Sequence, residues 1–142
     1  MLTGKNERLK YKRNAMMLLA SSLGGLSTCA KREVGCVIAS EDFRSLYTGY
    51  NGPASGEPFC DGQSDPCPCL HAEVNALMKV PQPTQVKHIL FVTCPPCEKC
   101  AGYIVNSKIV IEVVSLYDEL TGSQMRAVRR FETAKILFSW VK

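Results

Sequence analysis

No stretch of this 142-residue chain approaches the run of about 18 apolar residues that a membrane span requires. There is no internal repeat, no low-complexity segment and no long basic tail of the kind that tracks nucleic acid. Net charge is small: 17 basic minus 13 acidic side chains gives +4. That suits a solvated basic face or an anionic small substrate, of which phosphate is the commonest form. Lys5, Arg8, Lys10, Lys12 and Arg13 make the N-terminal region basic. The apolar core behind them, residues 15–20, is too short for the apolar region of a secretory signal. The expectation is therefore a cytoplasmic protein, in the host cytosol if phage-encoded. Hydrophobic residues at 46% and charged residues at 21% are ordinary for a globular chain. The length suits one domain over residues 1–142 with a real core.

Cysteine, by contrast, is plentiful. Eight cysteines stand at 29, 36, 60, 67, 69, 94, 97 and 100. In a reducing compartment such a set argues for metal and against disulfides.

Residues 5–23 are rich in helix formers, with Leu9, Arg13, Met16, Ala20 and Leu23 on one stripe, and Gly24-Gly25 stops the helix. Residues 34–40 and 46–50 read as strands joined by a hairpin around Glu41-Asp42. Residues 51–69 hold Gly, Pro, Ser, Asp and Cys without periodicity, which makes a long loop that something must pin. A helix is expected over 71–80, ending before Pro81, then a strand over 88–93. Residues 97–106 form the next helix, 109–116 a strand, 121–133 a helix and 135–141 a last strand. The order α-β-β-α-β-α-β-α-β predicts an α/β fold, a three-layer α-β-α sandwich with a mixed five-stranded sheet.

Two short motifs carry the chemistry: His71-Ala72-Glu73 and Pro96-Cys97-Glu98-Lys99-Cys100. A catalytic zinc takes three protein ligands and keeps a fourth position open. His71 begins one helix, and Cys97 and Cys100 share a face in the first turn of another, where a helix N-terminus favours thiolates. Glu73 is too near His71 to be a fourth ligand by default. Its expected role is proton shuttle, taking a proton from metal-activated water and delivering protons to a ring nitrogen and to departing ammonia. A closed zinc ribbon with four protein ligands and no chemistry is the competing reading of the same cysteines. The H-x-E element followed by P-C-x-x-C is a known signature of zinc-dependent nucleobase deaminases.

With Val34-Gly35-Cys36-Val37-Ile38, Gly49-Tyr50-Asn51-Gly52, His71-Ala72-Glu73-Val74-Asn75-Ala76-Leu77 and Val92-Thr93-Cys94-Pro95-Pro96-Cys97-Glu98-Lys99-Cys100-Ala101 in this order, the chain resembles the deoxycytidylate (dCMP) deaminase branch of the cytidine deaminase-like superfamily. The resemblance covers about residues 8–140. It implies hydrolytic deamination of dCMP to dUMP in support of thymidylate synthesis. It also implies a catalytic zinc on His71, Cys97 and Cys100, and Glu73 as proton donor. Asn51 would contact the substrate's sugar; a turn asparagine in Asn-Gly is the competing account of it. Asn75 would touch the nucleotide or orient the neighbouring loop. Some members of the branch carry a second, structural zinc, here implying Cys29, Cys60, Cys67 and Cys69.

Where such proteins usually carry a Tyr-His-Asp type segment, this chain reads Tyr117-Asp118-Glu119-Leu120-Thr121-Gly122, and Pro53-Ala54-Ser55-Gly56 follows Asn51 and Gly52. Both departures leave room for a 5-substituted dCMP. The resemblance further implies a homo-oligomer, commonly a hexamer, and dCTP and dTTP as effectors. Arg32, Lys31, Lys79 and Arg126 are the candidate phosphate cations. Cys36 reads as core, Cys94 as packed near the site, and His88 as a surface or capping residue. The rivals are a tRNA adenosine or guanine deaminase of the same superfamily and a noncatalytic zinc-binding interaction module.

Overall fold

The computed structural model describes residues 1–117 and 119–141; Asp118, part of the departure noted above, lies outside the described residues. Nine elements follow in the expected order: α1 (Lys5–Gly24), β1 (Gly35–Ser40), β2 (Leu46–Tyr50), α2 (Ala72–Leu77), β3 (His88–Val92), α3 (Glu98–Ser107), β4 (Val110–Ser115), α4 (Gly122–Thr133) and β5 (Leu137–Trp140). The sheet order is β2-β1-β3-β4-β5. β1 runs antiparallel to both β2 and β3, whereas β3, β4 and β5 are mutually parallel. The sheet is thus mixed and five-stranded, as expected.

Alternation along β1 and β3 divides the core into two layers. Cys36, Ile38, Leu90 and Val92 face a cluster with Ala72 and Ala76 of α2, Ala101 and Ile104 of α3, and Ala127 and Phe131 of α4. Val37, Ala39, Ile89 and Phe91 face the opposite way, onto Met17 and Ala20 of α1. Three helices cover one side and α1 covers the other. Among the described residues no helix is long and apolar enough to cross a membrane.

Several boundaries differ from the sequence expectation for local reasons. The buried stripe of α1 is Met17, Ala20 and Gly24, while Leu9 is 47% exposed. A 20-residue helix is about 30 Å long, against roughly 20 Å for a six-residue strand, so the first turns of α1 overhang the sheet. α2 ends at Leu77; Lys79 and Val80 close by i→i−3 bonds to Ala76 and Leu77 because Val80 precedes Pro81. β5 starts at Leu137, since Ala134 to Ile136 complete the end of α4, with Lys135 left-handed and the Ile136 N–H donating to the Phe131 carbonyl.

Arg13 fastens α1 to the sheet. Its guanidinium donates to both carboxylate oxygens of Glu112 at 2.9 and 2.6 Å, and Ser139 adds a third bond at 2.8 Å. Burial pushes the Glu112 carboxyl up, but the bonds from Arg13 and Ser139 outweigh it and hold it below the usual range. A depressed folded value means stability present above the unfolded carboxylate's pKa and lost as pH falls through the folded value. Glu112→Gln is expected to cost about 1–3 kcal/mol at neutral pH and to flatten the acid limb of thermal stability, which a melting series across pH checks.

Because β2 and β3 are both antiparallel to β1, they point the same way. The C-terminal ends of β2, β3 and β4, the start of β1 and the N-termini of α2, α3 and α4 therefore meet at one sheet edge. In open α/β sheets that edge is where ligands bind.

Candidate active site

His71 is the N-cap residue of α2, in extended conformation, and Glu73 lies in that helix's first turn, buried at 4% exposure. The helix lies close on β2 because residue 49 has no side chain. A Cβ at Gly49 would collide with the Ala72 carbonyl and stand 2.6 Å from the Ala76 amide nitrogen. Gly49→Ala is expected to push α2 outward, cost about 2–3 kcal/mol and lower kcat/KM, as melting and steady-state kinetics would report.

On the other side, Cys97 is the N-cap of α3 and its sulfur accepts from the Cys100 N–H at 3.5 Å. His71 Nδ1 lies 3.2 Å from Cys100 Sγ and 3.6 Å from Cys97 Sγ. One ligand atom from each of the three falls within 4.8 Å of the others. In a tetrahedron with Zn–S about 2.3 Å and Zn–N about 2.0 Å, nitrogen–sulfur edges are roughly 3.5 Å. The donor set, one imidazole and two soft sulfurs, fits zinc in both spacing and chemistry.

The electrostatics agree. The Cys100 thiol and then His71 hydrogen-bond to Cys97 and pull it down to about 3, while Cys100 itself is pushed up by its bond to Cys97 and by burial. Burial pushes the Glu73 carboxyl up to about 7, against the opposing charge of His71. A carboxyl near neutrality can both accept and donate a proton at working pH.

The start of α4 braces this centre. The Ser123 hydroxyl accepts from the Glu98 N–H at 3.0 Å, satisfying an orphan donor of α3, and Gln124 Nε2 donates to the Pro95 carbonyl at 2.9 Å. Gln124 Oε1 meanwhile accepts from the Thr121 N–H at 2.8 Å within a capping box. These residues were missed in the sequence, although Thr121-x-x-Gln124 is a legible capping-box pattern.

A second group of sulfurs sits beside the first. Cys67 Sγ lies 3.8 Å from Cys29 Sγ and 3.7 Å from Cys60 Sγ, and the sulfurs of Cys29, Cys60, Cys67 and Cys69 all fall within 4.8 Å of one another. Tetrahedral S···S edges around zinc are about 3.8 Å. Backbone pairing draws the group together: Ala30 N donates to the Cys60 carbonyl and Cys60 N to the Thr28 carbonyl, both at 2.9 Å. Burial raises Cys29, but the Cys69 thiol and the N–H groups of Lys31 and Arg32 outweigh it and bring it down to about 7. Burial and the neighbouring sulfurs push Cys69 up. Four soft sulfur donors, one of them held by backbone N–H groups, also fit zinc.

Both groups border one cavity of about 400 Å³, whose wall also includes Arg32, Asn51, Glu73, Cys94 and Thr121. Asn51 faces it, but its amide is already engaged: Oδ1 accepts from Val34 N at 2.9 Å and Nδ2 donates to the Arg32 carbonyl at 2.8 Å. Asn75 is not in this wall; its amide donates to the Tyr50 carbonyl at 2.8 Å. Cys36 is fully buried core. Cys94 lines the cavity outside both metal groups. His88 is buried at 2% exposure, against Tyr47 and away from the surface expected for it, because it opens a central strand between β1 and β4.

Residues 10–116 match the family described as cytidine and deoxycytidylate deaminase zinc-binding region. The chain belongs to that deaminase family. Among its relatives, the deoxycytidylate deaminase of Saccharomyces cerevisiae is 39% identical over 106 residues, 66% of this chain and 34% of the yeast protein. That of Mycobacterium phage D29 is 32% identical over 108 residues, 64% of this chain and 84% of the phage protein. This deaminase chain thus spans about a third of the yeast relative's length and most of the phage relative's. In structure it is similar to the dCMP deaminase of cyanophage S-TIM5 in complex with dCMP and dUMP, with TM-score 0.75, 25% identity, and coverage of 91% of this chain and 96% of that one. Zinc as the family's metal agrees with the donor sets found here.

Proposed function

We propose that this chain hydrolyses dCMP to dUMP and ammonia in a zinc-dependent reaction, acting as a single deaminase domain over residues 1–142. The observation that carries the reading is Glu73. It is a buried carboxylate placed beside the His71, Cys97 and Cys100 donors, in a cavity of nucleotide size. The named relatives of yeast and phage, and the S-TIM5 enzyme with its dCMP and dUMP, support dCMP as the substrate.

When bound by His71, Cys97 and Cys100, zinc supplies Lewis acidity and makes water a competent nucleophile near neutral pH. The chain's own residues do the rest. Glu73 takes both protons of the attacking water in turn on a carboxylate oxygen, the first at the attack and the second from the resulting hydroxyl. It returns protons to the ring nitrogen and to the exocyclic amine, which leaves as ammonia while the water oxygen becomes the carbonyl. The close seat of α2 on β2 fixes the height of Glu73. Burial keeps its proton from exchanging freely with bulk water.

The reading includes a second zinc on Cys29, Cys60, Cys67 and Cys69, closed and structural, and two zinc ions per chain. By family resemblance it also includes supply of thymidylate synthesis, a homo-oligomer such as a hexamer, and dCTP and dTTP as effectors; the departures from the family pattern at 53–56 and 117–122 add acceptance of some 5-substituted dCMP, and the character of the sequence adds a cytoplasmic location. An ultraviolet deamination assay across cytidine, dCMP, 5-methyl-dCMP, dCTP and a tRNA anticodon stem tests it. The expected result is fastest turnover of the monophosphates. Preference for the tRNA stem, or no ammonia from any of them, would overturn it.

A further inference from the structure

Charge on the surface of this chain is sorted into two places. Residues 45–78 contain no lysine or arginine and carry Glu57, Asp61, Asp65 and Glu73. Glu73 is the buried carboxylate of the active site; the other three stand exposed on the long segment after β2. α3 and α4 have the opposite balance. Glu98 pairs with Arg126 and Arg130, which leaves Lys99, Arg129 and the α3 cap residue Lys108 in no ion pair among the described residues. Glu57, Asp61 and Asp65 enter none there either.

The basic face is grooved. Lys99, Gly102, Tyr103 and Asn106 recur at i, i+3, i+4 and i+7, the side of α3 away from its buried residues Cys100, Ala101 and Ile104. With Glu98 and Arg130 they line a groove of about 390 Å³. Gly102 lets the Arg130 guanidinium lie along its floor, for a Cβ at 102 would stand 2.6 Å from Nη1. Tyr103 is 49% exposed at its side. An apolar wall rimmed by unpaired cations suits an aromatic ring flanked by carboxylates.

The acidic segment presents such a ring. Phe59 stands between Glu57 and Asp61 and is 76% exposed. A single exposed ring is ordinary, but this one has a fixed root. Its neighbour Cys60 is buried, donates its N–H to the Thr28 carbonyl and accepts from Ala30 N, both at 2.9 Å, and belongs to the four-cysteine group. An anchored aromatic loses little freedom on docking, which is what makes an interface hot spot.

The two surfaces lie on different flanks. The acidic segment leaves β2 at one edge of the sheet, whereas α3 and α4 pack together over β4 and β5 toward the other. No ion pair joins them within the chain among the described residues. Unlike surfaces that complement each other make a head-to-tail contact, which repeats from copy to copy and closes into a ring where the rotation allows.

We propose that the acidic segment of one copy, with Phe59 as its anchor, docks in the α3–α4 groove of a second copy, setting Glu57, Asp61 and Asp65 against Lys99, Lys108 and Arg129. The contact gives surfaces to the homo-oligomer of the proposed function and rests on that oligomer; the deaminase chemistry stands without it. It also makes the four-cysteine group the anchor of an interface.

Sedimentation velocity of the zinc-loaded full chain, across a concentration series, tests the contact. Wild type is expected to form a discrete oligomer that weakens as salt screens the exposed charges. Phe59→Ser and Tyr103→Glu should each raise the dissociation constant about 30-fold or more. Both side chains are exposed, so neither variant should disturb the fold. Each variant also keeps one surface intact. Mixed where each alone is monomeric, the two should form a one-to-one dimer, the groove of the Phe59→Ser chain receiving Phe59 of the other. Contact of each surface with its own copy would give no such dimer and overturns the proposal, as does an oligomer that both variants leave intact. Wild type that stays monomeric throughout overturns the contact and the homo-oligomer together and leaves the groove to another acidic partner; dCMP turnover by that monomer would keep the deaminase reading.

Discussion

Glu73→Ala is expected to lower kcat for dCMP by about 1,000- to 10,000-fold while one zinc remains on His71, Cys97 and Cys100. The three ligands come from positions other than 73, and the first turn of α3 supplies two of them, so metal retention does not depend on the carboxylate. What disappears is the only buried carboxylate that borders the cavity among the described residues. Glu73→Gln should behave alike, because an amide keeps the volume but cannot relay a proton. Metal content by atomic absorption, measured beside the kinetics, separates the outcomes. Near-normal turnover in both variants would remove Glu73 from the mechanism. Loss of the zinc together with activity would make it a structural residue of the centre.

The second large effect lies in the cysteine group. Cys67→Ser is expected to lower zinc from two ions per chain to one and to lower the melting midpoint by about 10 °C or more, the equivalent of roughly 3 kcal/mol in a chain of this size. Cys67 is the informative position. Its sulfur is near both Cys29 and Cys60, yet its backbone takes no part in the pairing between residues 28–30 and 60. Serine there alters a ligand and leaves the bridge intact. The long segment from 51 to 69 carries isolated bridges at Cys60 and Gly52 and no regular element, so it has little else to order it. One zinc in fully active wild type, or an unchanged midpoint in the variant, would show that the four thiols hold no structural ion.

How much of this was legible in the sequence depends on how local each signal is. His71, Glu73, Cys97 and Cys100 were readable because one helical turn fixes their relations, whatever the rest of the chain does. The central strands β1 and β3 were readable because burial on both faces forces continuous apolar runs such as residues 89–92, whereas the edge strands β2 and β5 are only partly buried. Cys29, Cys60, Cys67 and Cys69 were grouped by composition and resemblance; their spacing across 41 positions carries no geometry until Cys60 pairs beside Cys29.

Other features belong to tertiary contacts. Nothing near Asn51 in the sequence reveals that its amide is taken by the backbone of Arg32 and Val34. Lys79 and Arg126 look as available as Arg32 until the Thr48 carbonyl and Glu98 are seen to hold them. The seat of α2 hangs on a missing side chain at Gly49, and the brace from α4 joins residues 25 and 29 positions apart. His88 reads as a polar strand opener, yet the sheet order puts it between two neighbours.

The most direct measurement of the central claim follows dCMP and ammonia together in the zinc-loaded wild-type protein. The account predicts one ammonia and one dUMP for each dCMP consumed, with turnover lost on chelation and restored by zinc. A zinc-replete, folded protein that leaves dCMP intact would contradict it.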